Sequence, residues 1–362
     1  MQPFAARVMV QTMRGGDAMT VEQIGQIDGR AVQAVTLGGG AGPRARVITY
    51  GARLAELWVP GRAGVLADIV LGHDEATGYR TAKGYLGATC GRYSNRIAGA
   101  RFMLNGREVL LDANEGEKHL HGGREGFDRK IWNIAEVSAR AVTLTATAED
   151  GEMGYPGRLS MQVRYWLDPS DRLWIAMEAS TDAATVVNMV NHSYFNMAGS
   201  GSVMGQQLRL GSTHYTPVGA DLIPTGEVLA VAGTPFDFMA LREIGAAVPS
   251  DAGFDHNLCL TGPLVPKWGE TLRFCAEAVD AASGRRMEVW TTEPGVQLYT
   301  GAFLGGGGPG KGGVPIAPFT GFTLETQTFP DSPNRPQFPS ARLEPGQRYR
   351  HLMAFDFTPL PG

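Results

Sequence analysis

Residues 186–199 read VVNMVNHSYFNMAG, an apolar run in which His192 stands between Asn191 and Ser193. Imidazole titrates near neutrality, so a histidine there can give or take a proton at working pH. A second stretch, GFTLETQTFPDSPN at 321–334, sets Glu325 in an otherwise uncharged, strand-like run. A carboxylate in such a run is partly desolvated and calls for a reason. An imidazole and a carboxylate facing each other over a small substrate supply acid and base at once, and no nucleophile is then required. The chain has no Gly-x-Ser-x-Gly elbow, and Ser193 has no recognised nucleophile context. The structural alternatives are a hydrogen-bonded core role for His192 and an ion pair of Glu325 with an arginine such as Arg96.

Two further stretches are over-specified for structure alone, GRYSNRI at 91–97 and KHLHGG at 118–123. His119 and His121, at alternate positions, would share one face of a strand and form a possible metal pair. A complete site needs more ligands, and His73, His214, His256 and His351 offer no organised spacing, so no metal and no cofactor is predicted. The run GGGGPGKGG at 305–313 lacks the Ser/Thr that follows the lysine of a phosphate loop, and lacks its strand-to-helix setting. It reads as a flexible loop, able to serve as a rim or lid.

The elements that must position these residues are mostly strands. In GRLSMQVRYWLDP, Leu159, Met161, Val163, Tyr165 and Leu167 alternate with Ser160, Gln162 and Arg164, the pattern of a half-buried strand. AVTLTATAED repeats it. Asn105-Gly106 marks a hairpin, and Asp168–Asp171 and Ser283-Gly284 mark further turns. Helical periodicity is scarce, with DFMALREIGAAV at 237–248 the best candidate for two or three turns. Many short strands among 49 glycines and 22 prolines predict an all-β fold, a large antiparallel β-sandwich with few short helices, curved around a groove.

Composition narrows the function. With 43% hydrophobic and 19% charged residues in 362, and a formal net charge of -4, the chain is ordinary globular material. It lacks the basic surface that nucleic acid or an anionic membrane would require, and no segment is apolar for long enough to span a bilayer. Cys90, Cys259 and Cys275 are odd in number and widely spaced, which fits a reducing, cytoplasmic setting better than a disulfide framework. Residues 1–18 are predicted to be a flexible tail with no secretory signal, Met19 being a candidate start, and residues 19–362 a single domain.

The segments GYLGATCGRYSNRIAGARFMLNG, HLHGGREGFDRKIW, DGEMGYPGRL, NHSYFNMAG, THYTPVGADLIPTGE, FDHNLCL, GVQLYTG and GFTLETQTFPDSPNRPQFPS, in this order, closely resemble the aldose 1-epimerases, or galactose mutarotases. The resemblance runs from about residue 22 to the end of the chain. It implies a metal-free sandwich enzyme that interconverts the α and β anomers of a free aldose. Glu325 would act as base on the anomeric hydroxyl and His192 as acid on the ring oxygen. Asn95, Arg96, His121, Asp255 and Gln297 match positions that bind the sugar, suitable types because each hydroxyl both donates and accepts. Alternatively, Arg96 would pair with Asp255 or Glu325, and Asn95 would cap a turn.

His119 has no counterpart role, and is expected on the other strand face or at a rim. Trp132, Tyr194 and Phe195 are expected to pack in the core before they stack on sugar. The implied partner is a monosaccharide, with no nucleic acid or membrane, and the protein a monomer or homodimer. Two other readings remain: a non-catalytic carbohydrate-binding or sensing protein on the same fold, which should have lost the acid or the base, and a hexose-phosphate epimerase, which should add arginines for a phosphate.

Overall fold

Alternation builds the framework. In strand Leu159–Leu167 the five apolar residues named above are buried while Ser160 and Arg164 are exposed. This strand pairs antiparallel with Ala141–Ala148 on one side and Leu173–Thr181 on the other. Leu173–Thr181 then pairs with Tyr349–Asp356, which pairs with Arg285–Thr291, and the sheet reaches ten strands through Glu270–Asp280 and Gln207–Leu210. The computed structural model describes residues 8–11, 19–248, 251–305 and 308–361.

A second sheet of six strands runs in sequence order from Val8–Gln11 to Leu66–Asp68. A third, also of six, has the order Tyr194–Phe195, Phe322–Gln327, Gly295–Tyr299, Asp255–Leu260, Ser212–Thr216, Leu229–Ala230. Apolar side chains from all three meet in one core, among them Val35, Leu57, Val163, Ile175, Leu258, Val289, Leu298, Leu324 and Phe355. Removing these faces from water is what drives the sheets together. The architecture is the all-β antiparallel sandwich expected from the sequence. No helix of the described residues is long and apolar enough to cross a membrane.

Local signals explain the turns. Asn105 (φ 52°) and Gly106 (φ 74°) both take the left-handed backbone that a two-residue hairpin requires, joining Arg101–Leu104 to Arg107–Leu110. Segment 237–248 departs from expectation. It forms a two-residue strand, Arg242–Glu243, paired with Gln207–Leu208, followed by one 3-10 turn over Ile244–Ala247. Ile244 is fully buried whereas Met239 and Leu241 are exposed, so the apolar residues share no helical face. The Arg242 guanidinium donates to the Asp237 carbonyl at 2.6 Å and lies over the Phe238 ring, which suits the extended path. The α-helix of the described residues is instead the short Ala76–Thr81.

Of the expected tail, residues 1–7 and 12–18 lie outside the described residues, while Val8–Gln11 pairs with Met19–Glu22. In the glycine-rich segment, residues 306 and 307 lie outside the described residues. Lys311 ties its far end down by donating to the Ala55 carbonyl at 2.7 Å and pairing with Asp68.

One buried cation anchors the segment that leads to the site. Arg53, 1% exposed, donates to the carbonyls of Leu86 (2.9 Å) and Asp128 (2.8 Å), and its guanidinium lies 5.1 Å from the Tyr50 ring. Arg53→Leu removes the donor from two buried carbonyls and the cation from beside the Asp128 carboxyl. The expected loss is about 3 kcal/mol of unfolding free energy in urea titration, the scale for breaking a buried charged cluster. An unchanged midpoint would show that Arg53 does not hold this segment.

Candidate active site

Strand Phe322–Gln327 is buried at every residue and paired on both sides. Register sets Gln297 opposite Glu325, then Asn257 opposite Gln297 and Asp255 opposite Tyr299. On the other side Tyr194 pairs with Thr323, which brings the NHSYFN stretch alongside Glu325. The backbone of His192 is fixed at both ends: its N–H donates to the Ala88 carbonyl (2.8 Å) and its carbonyl accepts from the Gly87 N–H (3.0 Å). Ser193 is spent on structure, its hydroxyl donating to Asn191 Oδ1 at 2.6 Å.

A third piece comes from a short ladder in which Arg96 and Ile97 pair with Leu120 and His119. The residues just beyond it, Asn95 (φ 62°) and His121 (φ 50°), are both left-handed. They hold one another: the His121 N–H donates to the Asn95 carbonyl and the Asn95 N–H donates to His121 Nδ1, each at 3.2 Å. Strained backbone of this kind costs on the order of 1–3 kcal/mol per residue and gathers at functional sites. Gly122 follows at φ 92°, where an added Cβ would lie 1.7 Å from the Gly91 carbonyl oxygen, so only glycine fits.

Because the strand ends at Leu120, His119 and His121 do not share a face, and the possible HLH metal pair is corrected. His119 Nδ1 lies 2.7 Å from the Asp112 carbonyl and its Nε2 2.6 Å from the Tyr155 hydroxyl, so both ring nitrogens are occupied. His121, His192 and Glu325 do bring potential ligand atoms within 4.8 Å of one another. With His121 Nδ1 accepting from Asn95, however, the neutral ring carries its proton on Nε2, which is then a donor and not a metal ligand.

His192 Nε2 stands 3.4 Å from Glu325 Oε1. The ring of His121 is 5.1 Å from that of His192, and Tyr85 packs on both, at 4.6 Å and 5.6 Å. Arg96 is clamped by Glu115 through two hydrogen bonds of 2.7 Å and 3.0 Å, with Asp255 3.6 Å from its NH1. Gln297 donates to Asp255 at 2.6 Å and accepts from Gln327 at 3.2 Å. All seven residues singled out in the sequence thus belong to one neighbourhood. Arg96 pairs with Asp255 and not with Glu325. Trp132, Tyr194 and Phe195 are each 1% exposed and pack in the core, Tyr194 also backing His192 at 5.1 Å. Glu115, Gln327 and Tyr85 were not legible in the sequence, since their roles depend on cross-strand contacts that spacing does not reveal.

Burial governs the electrostatics. It raises Glu325 to about 8, against the lowering effect of the Thr323 hydroxyl that donates to its Oε1 at 3.0 Å. It pushes His192 down to about 3, with the Arg53 cation acting in the same direction. His121 is held well below its ordinary value by burial, then by His192 and Arg96. At neutral pH the pair therefore holds one proton, on the carboxyl, beside a neutral imidazole. Glu325 Oε2 and His192 Nδ1 are buried without a hydrogen-bond partner. Such groups are costly to leave unpaired and are satisfied by a polar ligand.

This arrangement suits a small, hydroxyl-rich ligand whose protons are to be moved, and places the chain in the class of β-sandwich carbohydrate enzymes. The profile of a family described as aldose 1-epimerase matches residues 33–356. The galactose mutarotase of Bos taurus is 42% identical over 319 residues, covering 87% of this chain and 91% of that protein. The aldose 1-epimerase of Escherichia coli (strain K12) is 35% identical over 339 residues, covering 91% and 96%. Among solved structures, an aldose epimerase homologue from C. elegans superposes with a TM-score of 0.84 at 26% identity, covering 91% of this chain and 100% of that one. A galactose 1-epimerase from Lactobacillus acidophilus gives 0.81 at 27%, covering 94% and 98%. The chain belongs to the aldose 1-epimerase family.

The buried imidazoles set a stability signature. His73, His119, His121, His192, His256 and His351 are all held below the ordinary 6.5 by burial. Below pH 6.5 the unfolded chain takes up protons that the folded chain refuses, so stability is lost as pH falls, by up to ~1.4 kcal/mol per pH unit for each group. Glu325 runs the other way, its contribution complete below 4.5 and lost as pH rises through about 8. Asp128, also raised by burial, acts in the same direction, so two groups stand against six. Calorimetry should show Tm falling between pH 6.5 and 4, and a flat or rising Tm there would mean that these rings are not kept neutral by the fold.

Proposed function

We propose that this member of the aldose 1-epimerase family interconverts the α and β anomers of free aldoses, with Glu325 as base and His192 as acid. The observation that carries the reading is the 3.4 Å approach of His192 Nε2 to Glu325 Oε1, beside Arg96, Asp255 and Gln297. Glu325 as carboxylate takes the proton of the anomeric hydroxyl, and His192 as imidazolium gives one to the ring oxygen. The C1–ring oxygen bond breaks and the aldehyde forms. Rotation about C1–C2 presents the other carbonyl face. The hydroxyl freed from the ring then attacks C1, losing its proton to His192, while Glu325 returns one to the carbonyl oxygen.

The neutral pair that burial favours is the form held alongside the open-chain aldehyde. The charged pair is the form held with the cyclic sugar, where ligand hydroxyls and Arg96 offset its desolvation. His121, donating from Nε2, helps polarise the ring oxygen. Asn95, Arg96, Asp255 and Gln297 bind sugar hydroxyls. We take residues 19–362 as one catalytic unit, supported by a site that draws on segments from Tyr85 to Gln327. The protein acts without nucleic acid or membrane partners, as a monomer or homodimer. A reducing cytoplasm is supported by three buried, unpaired cysteines.

Dissolving pure α-anomers of several aldoses and following optical rotation tests the reading. The intact protein should speed the approach to equilibrium, and His192→Gln and Glu325→Gln should each slow kcat by about 10²–10⁴-fold. Full activity in both variants would remove these residues from the chemistry, and binding without turnover by the intact protein would favour the sugar-sensing alternative.

The pair must hold a single proton to work. kcat/KM should therefore decline as pH rises past about 8, where Glu325 loses it. A profile still flat at pH 9.5 contradicts this assignment. Exhaustive chelation should leave turnover unchanged, whereas loss of activity restored by zinc would reopen a metal role for His121, His192 and Glu325.

A further inference from the structure

A cavity of about 430 Å³ is lined by Arg53, Tyr79, Thr81–Leu86, Asp128 and Arg129, and none of the seven predicted site residues lines it. Its volume is in the range of small-molecule sites. Its charge is lopsided: three cations, Arg53, Lys83 and Arg129, face one carboxyl, Asp128. With Asp128 ionised the excess is two positive charges, and burial raises the pKa of Asp128, which weakens that compensation further.

The carboxyl does not neutralise its neighbours by contact. Asp128 Oδ2 lies 3.9 Å from both Arg53 NH2 and Arg129 Nε, beyond hydrogen-bond range. Asp128 Oδ1 and Arg53 Nε are buried with no hydrogen-bond partner, and these two residues are 4% and 1% exposed. Lys83 is exposed and makes no ion pair among the described residues. Arg53 is hydrogen-bonded to two carbonyls but reaches its carboxyl only at 3.9 Å, a partial compensation that a further anion beside Arg129 and Lys83 completes.

We propose that this cavity binds a phosphate group, free or carried on a small molecule. A phosphate dianion matches the excess charge, and its several oxygens accept charge-assisted hydrogen bonds from guanidinium and ammonium groups together, where a carboxylate offers two. The cavity is separate from the sugar-binding residues, and Tyr85 is the shared wall, its ring packed on His121 and His192. The Arg53 charge also reaches His192. An anion seated on these cations bears on the catalytic pair through both, so its binding changes kcat or KM for the sugar. The site does not depend on the sugar chemistry proposed above.

The test is calorimetric titration of the full chain with inorganic phosphate and with glycerol 3-phosphate, against chloride at equal ionic strength. Glycerol 3-phosphate has no hemiacetal, so its binding does not report on the epimerase reading. The comparison is the double variant Lys83→Gln/Arg129→Gln, which alters one exposed and one half-buried residue and keeps Arg53. Saturable binding of either phosphate compound, weakened at least tenfold in the variant, supports the site, and the stronger of the two ligands tells whether free or carried phosphate is preferred. Mutarotation without phosphate should be unchanged in the variant, while phosphate should shift kcat or KM in the intact protein alone. No saturable binding, or equal affinity in the variant, overturns the proposal.

Discussion

Desolvation of two ionisable groups against each other is the constraint on which the site rests. A carboxyl and an imidazole, 2% and 4% exposed and 3.4 Å apart, cannot be both ionised and unassisted in such a place. Burial drives the proton onto Glu325 and off His192, leaving a neutral pair whose charged form requires polar company. In the proposed reaction a sugar's hydroxyls, with Arg96 nearby, supply that company. The energetic tension of the pair is therefore of the same kind as the chemistry proposed for it, in which each half-reaction moves the pair between its two proton arrangements.

Holding this pair in place takes more than the strand that bears Glu325. The register of three neighbouring strands fixes Glu325, Gln297 and Asp255 relative to one another, and backbone bonds to Gly87 and Ala88 fix His192. His121 and Asn95 are set by a reciprocal pair of hydrogen bonds between two left-handed residues, with Gly122 needed behind them. Arg96 is gripped by Glu115 on two nitrogens, which leaves NH1 for Asp255 and for ligand. Little is left to be ordered when a sugar arrives, which favours catalysis by preorganisation.

How far the sequence reveals this depends on the range of the interaction. Strand Leu159–Leu167 was legible because it is half-buried, so its alternation is written in residue type. Glu325 stood out for the opposite reason, as a lone charge in a strand buried on both faces. Segment 237–248 has helix-like composition but extended structure, because pairing with Gln207–Leu208 and the Arg242–Phe238 contact outweigh a weak local preference. The HLH spacing implied a shared face only on the assumption that the strand continues, and it stops at Leu120. Glu115, Gln327 and Tyr85 act through partners distant in the chain or across a ladder, where one sequence carries no signal. The family resemblance supplied the sugar-binding roles expected of Asn95, Asp255 and Gln297, which residue types alone left open.

The position of strand Tyr349–Asp356 has a consequence for synthesis. It sits in the middle of the ten-stranded sheet, between Leu173–Thr181 and Arg285–Thr291, yet it leaves the ribosome after every other strand of that sheet. Until it emerges, the two halves of the sheet present unpaired edges to each other with nothing to join them. The nascent chain must wait, with apolar strands exposed, for its keystone, and this makes the polypeptide a natural client for chaperones that shield open edges.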